Sequence, residues 1–327
     1  MKALVTGGGG FIGGALLQRL VEQGHTVSSL SRGDYPELRK IGVEVISADL
    51  QDVDSVCRAV EGKDIVFHVG AKAGFWGPYK EYFRTNVLGT KNIIKACRKS
   101  GVGSLVFTSS ASVVFDGADI EGMNEKLPYP EKPLSHYTKT KALAEKAVLE
   151  ANDHDLKTIS LRPHLVWGPG DQHILPRIIQ QARAGKLRRI GKGRNLVDTT
   201  YIDNAVQAHL CAYKALIDNP MAYGKAYFIT DGEPLKLWDL MDDLLTAHGF
   251  DPLRKETSQG MAISIAGILE ILHKIFAPHK DPRLTRFLVH ELTASHWFDI
   301  SAAKKELGYE PIVSVEEGLA RIRYQNP

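Results

Sequence analysis

The chain has 327 residues, of which 43% are hydrophobic and 24% charged, and carries a net charge of +3. That length suffices to bury a large core, as one big α/β domain or as one domain with a smaller partner. So small a positive excess gives no reason to expect nucleic acid, and the densest basic cluster, Lys186, Arg188, Arg189 and Lys192, reads as a solvated helix end. Cys57, Cys97 and Cys211 lie far apart with no CxxC pair, so neither a metal site nor a disulfide framework is expected, and a reducing cytoplasm fits.

The first half alternates short apolar runs with helical patterns. Strands are expected at 3–6, 26–30, 43–47, 65–68, 104–108 and 158–161, with helices between them, as at 11–23 and 86–99. Strands rich in Val, Ile and Leu, alternating with helices, imply βαβ units and right-handed crossovers. The expected fold is therefore α/β, a doubly wound parallel (Rossmann) sheet covered on both faces. Residues 1–165 are assigned to a dinucleotide-binding domain and 166–327 to a smaller, mostly helical substrate lobe. After Pro163 the rhythm changes. Residues 167–171 are loop-like, 174–184 helical, 200–203 resemble a return to the main sheet, and 226–230 a further strand. Segments near 196–230 thus rejoin the first domain. The apolar stretch 261–276 is short of a membrane span and carries Glu270, His273 and Lys274, which makes it an amphipathic helix. Its Ile265, Ile268, Leu269, Leu272 and Ile275 pack as core, roof a lipid-like substrate, or rest on a membrane surface.

Gly7, Gly10 and Gly13 follow the first strand with GxxGxxG spacing, and Gly9 also permits GxGxxG. Placed before a helix opened by Phe11 and Ile12, these glycines fit a dinucleotide turn, in which backbone approaches closely and the helix N-terminus attracts a pyrophosphate. At the end of the second strand an NAD enzyme places an acid for the ribose hydroxyls. Here the chain reads Ser31-Arg32-Gly33-Asp34. Arg32 suits a 2′-phosphate that a carboxylate would repel, so NADP(H) is favoured, with NAD(H) served by Asp34 as the alternative. Asp49 and Leu50, after the third strand, are placed beside the adenine, and Asp49 is also a candidate helix N-cap.

Tyr137 and Lys141 form a YxxxK pair on one face of an expected helix. A free tyrosine titrates near pH 10, and work near neutrality asks for a lowering worth about 4 kcal/mol. One cation about 4 Å away supplies about that much at an effective dielectric near 20, so Lys141 is a sufficient partner. Ser110, just past the fifth strand, points into the ligand crevice beside Tyr137, with Ser109 as the alternative because neighbours in extended chain face opposite ways.

Together these pieces resemble the extended short-chain dehydrogenase/reductase superfamily, in its 3β-hydroxysteroid dehydrogenase-like branch. The resemblance covers the whole chain and rests on the turn at 7–13, Asp49-Leu50, Ala71, Asn86-Val-Leu-Gly-Thr90, Ser110, Tyr137 and Lys141, Leu161-Arg-Pro163 and Tyr201-Ile-Asp-Asn204. It implies that Ser110, Tyr137 and Lys141 are catalytic and that Asn86 stabilises a helix kink and a proton relay. It also implies that Ala71 and Lys141 touch the cofactor and that Pro163 and His164 lie beside the nicotinamide. Within that branch, residues 32–36, 71–77, 195–204, 284–288 and His296-Trp297 are similar to the bacterial 2-alkyl-3-oxoalkanoate reductases of olefin biosynthesis. This implies NADPH-dependent reduction of a β-keto acid with two alkyl chains. The wider superfamily resemblance implies a homodimer built through the helices at 86–99 and 137–152. Association with a biosynthetic complex, or with a membrane surface through the apolar stretch 261–276, is a further expectation. The chain has Val114-Phe115 where sugar epimerases frequently carry Tyr-Gly, which makes the site mouth more apolar. Lys72, Trp76, Phe115 and Trp297 are the substrate-side candidates. The competing readings are a hydroxysteroid or sterol dehydrogenase, a nucleotide-sugar epimerase and, from another class, a non-catalytic NADP-binding sensor.

Overall fold

Seven runs rich in β-branched and large apolar residues form one parallel sheet in the computed structural model, which describes residues 1–172 and 174–325. They are β1 (Lys2–Thr6), β2 (Thr26–Ser31), β3 (Glu44–Ser47), β4 (Ile65–His68), β5 (Ser104–Thr108), β6 (Lys157–Pro163) and β7 (Lys225–Ile229). They lie side by side as β7-β6-β5-β4-β1-β2-β3. The chain reverses direction across the sheet between β1 and β4, and the crevice beyond the carboxyl ends of those strands is where such sheets bind ligands.

The two-residue period of the strands sorts their side chains into two cores. Ala3, Val5, Phe67 and Val106 face one side, against Leu16, Leu17 and Leu20 of α1 (Phe11–Glu22) and Ala208 and Ala212 of α5 (Ile202–Asp218). Leu4, Val66, Leu105 and Phe107 face the other. They pack on Val56 and Val60 of α2 (Val53–Val60), Ile93 and Ala96 of α3 (Gly89–Ser100), and Ala144 and Val148 of α4 (His136–Glu150). Both faces are therefore dry, which explains why these strands read as continuous apolar runs.

Residues 200–203 do not return to the main sheet. Thr200–Tyr201 pairs with Val166–Trp167 in a separate two-stranded ladder, and Ile202 begins α5. The strand that does return is β7, which adds beside β6 at the sheet edge. A smaller lobe is built from a four-stranded sheet and several helices. Three of its strands lie beyond β6 in the chain (Leu196–Val197, Leu235–Lys236, His296–Phe298), and the fourth, Ile120–Met123, comes from before it, inside the stretch 1–165. Among its helices are α6 (Gln259–Phe276) and α7 (Arg286–Thr293), which pack on each other.

Candidate functional site

The first loop of the crevice is a backbone device. Gly7 has φ of +73°, and a Cβ there would lie 2.6 Å from the Gly70 Cα; one on Gly13 would lie 2.3 Å from the Gly7 carbonyl oxygen. Gly10 N–H donates to the Gly7 carbonyl at 2.9 Å, closing the turn. Gly10 is also the N-cap of α1 and has no side chain to cap the first-turn amides. A polar chain locks the loop to its neighbours: Gly70 N–H donates to Thr6 Oγ1, Thr6 Oγ1 meets His68 Nδ1 at 2.8 Å, and His68 Nε2 meets Thr90 Oγ1 at 2.9 Å. Thr90 donates to the Asn86 carbonyl, so its oxygen accepts from His68 Nε2–H, and Thr6 donates to Nδ1. Burial pushes His68 down to about 3 and keeps it neutral.

Around the crevice rim, Ser31 ends β2 buried, whereas Arg32 and Asp34 are exposed. Asp34 is held by Arg39. Tyr35, which the sequence reading passed over, lays its ring against Gly9 and Gly33. Asp49 is not a helix N-cap: its Oδ1 accepts from Gln51 N–H, and Asp52 caps α2 by accepting from Asp54 and Ser55. Leu50 is buried against Gly89.

The other wall is set by α4. Ser135 and Thr138 form a reciprocal capping box that fixes where the helix starts, two residues before Tyr137. Tyr137, Lys141 and Glu145 then follow at four-residue intervals on one face. Glu145 is buried and takes Arg162 of β6 through three hydrogen bonds of 2.7–3.1 Å, with Ser160 and Tyr129 completing its shell. Burial works against this carboxylate, yet Arg162 holds it below its ordinary value. This clamp seats the inner face of α4 on the sheet.

Ser110 extends from β5 with its hydroxyl next to Tyr137, where it favours the ionised phenol, while Ser109 turns inward toward Glu145. The Ser110 hydroxyl also lies 2.8 Å from Ser112 Oγ. Asn86 sits in a π-helical turn (Phe83–Leu88) that joins α3. Its amide accepts from Lys72 N–H at 2.7 Å and donates to the Lys72 carbonyl and to Thr140 Oγ1.

One expectation needs correction. Lys141 is not poised as the cation that lowers the tyrosine. Its ammonium donates to the Thr108 carbonyl at 2.5 Å and lies 4.1 Å from the centre of the Phe107 ring. Burial pushes Lys141 down to about 7, with Glu145 opposing. Burial also raises Tyr137, and the nearby Ser110 hydroxyl only partly offsets it. The phenol is thus held in its protonated form.

The substrate-side candidates divide. Phe115 is buried against Phe287 and His296. Lys72 is tied to Glu81 at 3.1 Å and lies over the Tyr82 ring. Trp76 meets His273 of α6 edge-on, at the rim. Trp297 faces away: its ring packs on Gly122, on the strand face opposite His296 and Phe298. Beside Tyr137 stand Phe75, which the sequence leaves ambiguous between pocket wall and core, and two residues of α7 that no sequence signal singles out, Phe287 and Glu291. Phe75 meets its ring edge-on at 6.3 Å and packs on Phe287 at 4.7 Å. Glu291 of α7 is near enough to raise the phenol further, and burial raises Glu291 itself. Behind them His296 donates Nε2–H to the Glu291 carbonyl at 2.8 Å, which leaves its Nδ1 to accept from His164 Nε2 at 2.7 Å. No local pattern marks these residues, since α7 is about 150 positions from Tyr137 in sequence.

An extended short-chain dehydrogenase/reductase is the class that this sheet and crevice define. Residues 4–258 match the 3-beta hydroxysteroid dehydrogenase/isomerase family. The chain is 49% identical to the 2-alkyl-3-oxoalkanoate reductase of Stenotrophomonas maltophilia over 99% of its own length and 98% of the relative's. It is 36% identical to the mouse sterol-4-alpha-carboxylate 3-dehydrogenase, decarboxylating, over 98% and 89% of the two chains. Among solved structures, MoeE5 in complex with UDP-glucose and NAD superposes with a TM-score of 0.74 at 26% identity, covering 99% of this chain and 98% of that one. The chain belongs to the 3-beta hydroxysteroid dehydrogenase/isomerase family and is an oxidoreductase of that family.

Proposed function

We propose that the protein is an NADP(H)-dependent reductase that converts an apolar β-keto acid, a long-chain 2-alkyl-3-oxo acid, to its 3-hydroxy acid. The observation that carries the reading is the meeting of Ser110 and a protonated Tyr137 beside the aromatic wall of Phe75, Phe287 and Phe115. The names of the two relatives share one substructure: a carboxylate on the carbon next to the one whose oxygen is oxidised or reduced. An aliphatic chain or a sterol nucleus supplies the apolar remainder in each case, and an aromatic wall suits either.

The residues fit a dinucleotide, because side chains at Gly7 and Gly13 would collide with backbone and the first turn of α1 lacks a side-chain cap. Gly7, Gly9, Gly10, Phe11, Ile12 and Gly13 would hold its pyrophosphate, Ser31 and Arg32 the 2′-phosphate, Asp49 and Leu50 the adenine. Ala71, Lys141, Pro163 and His164 would hold the nicotinamide half. When bound, the cofactor supplies the hydride. Ser110 and Tyr137 bind the keto oxygen and stabilise the charge that develops there. Tyr137 gives up its proton, Lys141 positions the cofactor ribose, and Asn86 with its Thr140 and Lys72 contacts holds the relay. The engagement of Asp34 by Arg39 supports the NADP(H) choice, since that carboxylate is committed.

The test is NADPH and NADH consumption with a synthetic 2-alkyl-3-keto acid, run beside a 3-hydroxysteroid and a sugar nucleotide. Turnover of either comparison substrate but not of the keto acid overturns the substrate reading. Tight NADPH binding without turnover on a carbonyl panel revives the sensor. Arg32→Ala should raise the KM for NADPH roughly tenfold and leave NADH nearly unchanged, as expected for loss of one charge-assisted contact. Equal effects on both cofactors would remove Arg32 from the 2′-phosphate site.

A further inference from the structure

The largest anomaly on the molecular surface is α6. A helix of this length normally hides its apolar side. Here only Ala262 and Ala266 are fully buried, against Ile190, Trp238 and Val289. The large side chains turn outward: Met261, Ile268, Ile271 and Ile275 are each 60–64% exposed and Phe276 is 78% exposed. Ile265 and Leu272 lie between them on the same face. A contiguous apolar strip of this kind marks an interaction surface. The outward turn also corrects the reading of this helix as a roof over the site.

The charge around the strip is equally uneven. Residues 174–194 hold seven cations and no acid, and residues 251–286 hold six cations and four acids. That surplus is nine, or eight once Asp242, which pairs with Arg189 and binds the Leu253 amide, is counted with them, on a chain whose net charge is only +3. The two segments adjoin. Glu256–Thr257 pairs with Arg189–Ile190 immediately before α6, and Arg177 donates to the carbonyls of Pro282 and Arg283 immediately after it. Lys186, Arg188, Lys192 and Arg254 are therefore exposed near its start, and Lys274 and Lys280 at its end.

We propose that α6 and its basic border are a docking surface for an anionic lipid bilayer, on which the helix lies flat. The charge pattern chooses among occupants. A second copy of this chain joined by two-fold symmetry would bring two such surpluses face to face. An acidic headgroup layer neutralises them while the strip enters the acyl boundary. The helix starts at Gln259, two residues before the apolar stretch 261–276. Over its 18 residues α6 is by length and composition long and apolar enough to cross a membrane, which corrects the expectation that it falls short. Its anchoring to the lobe prevents that: Glu270 pairs with Arg286 at 2.8 Å, Gln259 donates to Thr293, and the two alanines are sunk in the lobe. Docked in this way, the carboxyl end of α6 places Trp76, and behind it Phe75 and Tyr137, next to the lipid. An apolar substrate would then reach the crevice without crossing bulk water.

The test is flotation of the full chain with vesicles of phosphatidylcholine containing phosphatidylglycerol, against phosphatidylcholine alone. The wild type should float with the anionic vesicles and be released by salt. Ile268→Glu combined with Ile271→Glu should lower the bound fraction roughly tenfold or more, as should Arg188→Glu with Lys192→Glu. All four side chains are exposed, and an unchanged melting temperature shows that the fold is kept. Failure to float, equal affinity for both vesicle types, or binding indifferent to these substitutions overturns the proposal. So does an oligomer that the isoleucine substitutions disperse in place of vesicle binding. None of these readouts depends on which substrate is reduced.

Discussion

Tyr137→Phe lowers kcat by about 10²–10⁴-fold, the range that a positioned proton donor contributes. The substitution keeps the ring, and with it the edge-on contact to Phe75 at 6.3 Å, so the wall of the site is preserved. What is lost is the hydroxyl beside Ser110 whose proton would pass to the keto oxygen. Dinucleotide affinity should stay within a few-fold, because the glycine turn and α1 are untouched. Single-turnover stopped flow with saturating NADPH separates the two effects, and substantial retained kcat in the variant sinks the assignment. The direction of the titration adds a second check. Burial holds the phenol above its ordinary value, so it is protonated, and competent as a donor, throughout the neutral range. The phenol should therefore impose no fall on reduction across neutral pH, whereas the reverse oxidation, which needs the phenolate, should rise with pH. A fall in reduction as pH rises through neutrality would mark loss of the Lys141 proton, since burial pushes that ammonium down to about 7, and should then appear in the KM for the cofactor. A fall confined to the chemical step would point to another proton donor.

The fold was legible because its signals are local and repeated. The alternation of Ala3 and Val5 against Leu4 recurs in β4 and β5, and a glycine turn follows β1 where a dinucleotide fold requires one. The spacing of Tyr137 and Lys141 put both on one helix face, whereas alternation past β5 said only that Ser109 and Ser110 face opposite ways and left the choice between them open. What escaped depended on partners distant in sequence. Lys141 took the Thr108 carbonyl because a buried ammonium binds the nearest acceptor, and a β-strand that ends beside α4 provides one. Trp297 was expected to face the site, and His296 does so in its place. The phase of that strand is set by its pairing with Ile120–Met123, where the register shifts at Trp297. For α6 the periodicity of the sequence marks an amphipathic helix. Two small residues, Ala262 and Ala266, decide which side meets the protein, and hydrophobicity alone points the other way.

Arg162→Met destabilises the protein by about 3–5 kcal/mol, the cost of leaving one member of a buried ion pair without its partner. Glu145 has no exposed surface in its side chain and that of Arg162 is only 3% exposed, so water cannot replace the guanidinium. Methionine fills much of the volume, which keeps the loss from being one of packing. At about 2–4 °C per kcal/mol for chains approaching this size, the melting temperature should fall by roughly 6–20 °C. The pH dependence has a defined sign. Glu145 in the wild type is held below its ordinary value, so the stability it contributes is present at neutral pH and is lost on acidification through that lowered value. In Arg162→Met the carboxyl is raised by burial with the guanidinium gone and, among charges, only its coupling to Lys141 left to oppose the rise. The deficit against the wild type should shrink as the pH is lowered and Glu145 protonates. Glu145→Met with Arg162→Met should recover much of the stability, because no charge is then stranded. Calorimetry of the two single variants and the double variant closes the cycle, and a cost below about 1 kcal/mol for Arg162→Met would show that the pair is not what holds the helix. The consequence for the site follows from the geometry. Glu145 is two turns beyond Tyr137 on the same face of α4, so the variant that strands it should also lose kcat, and the double variant should regain it only as far as α4 returns to the sheet.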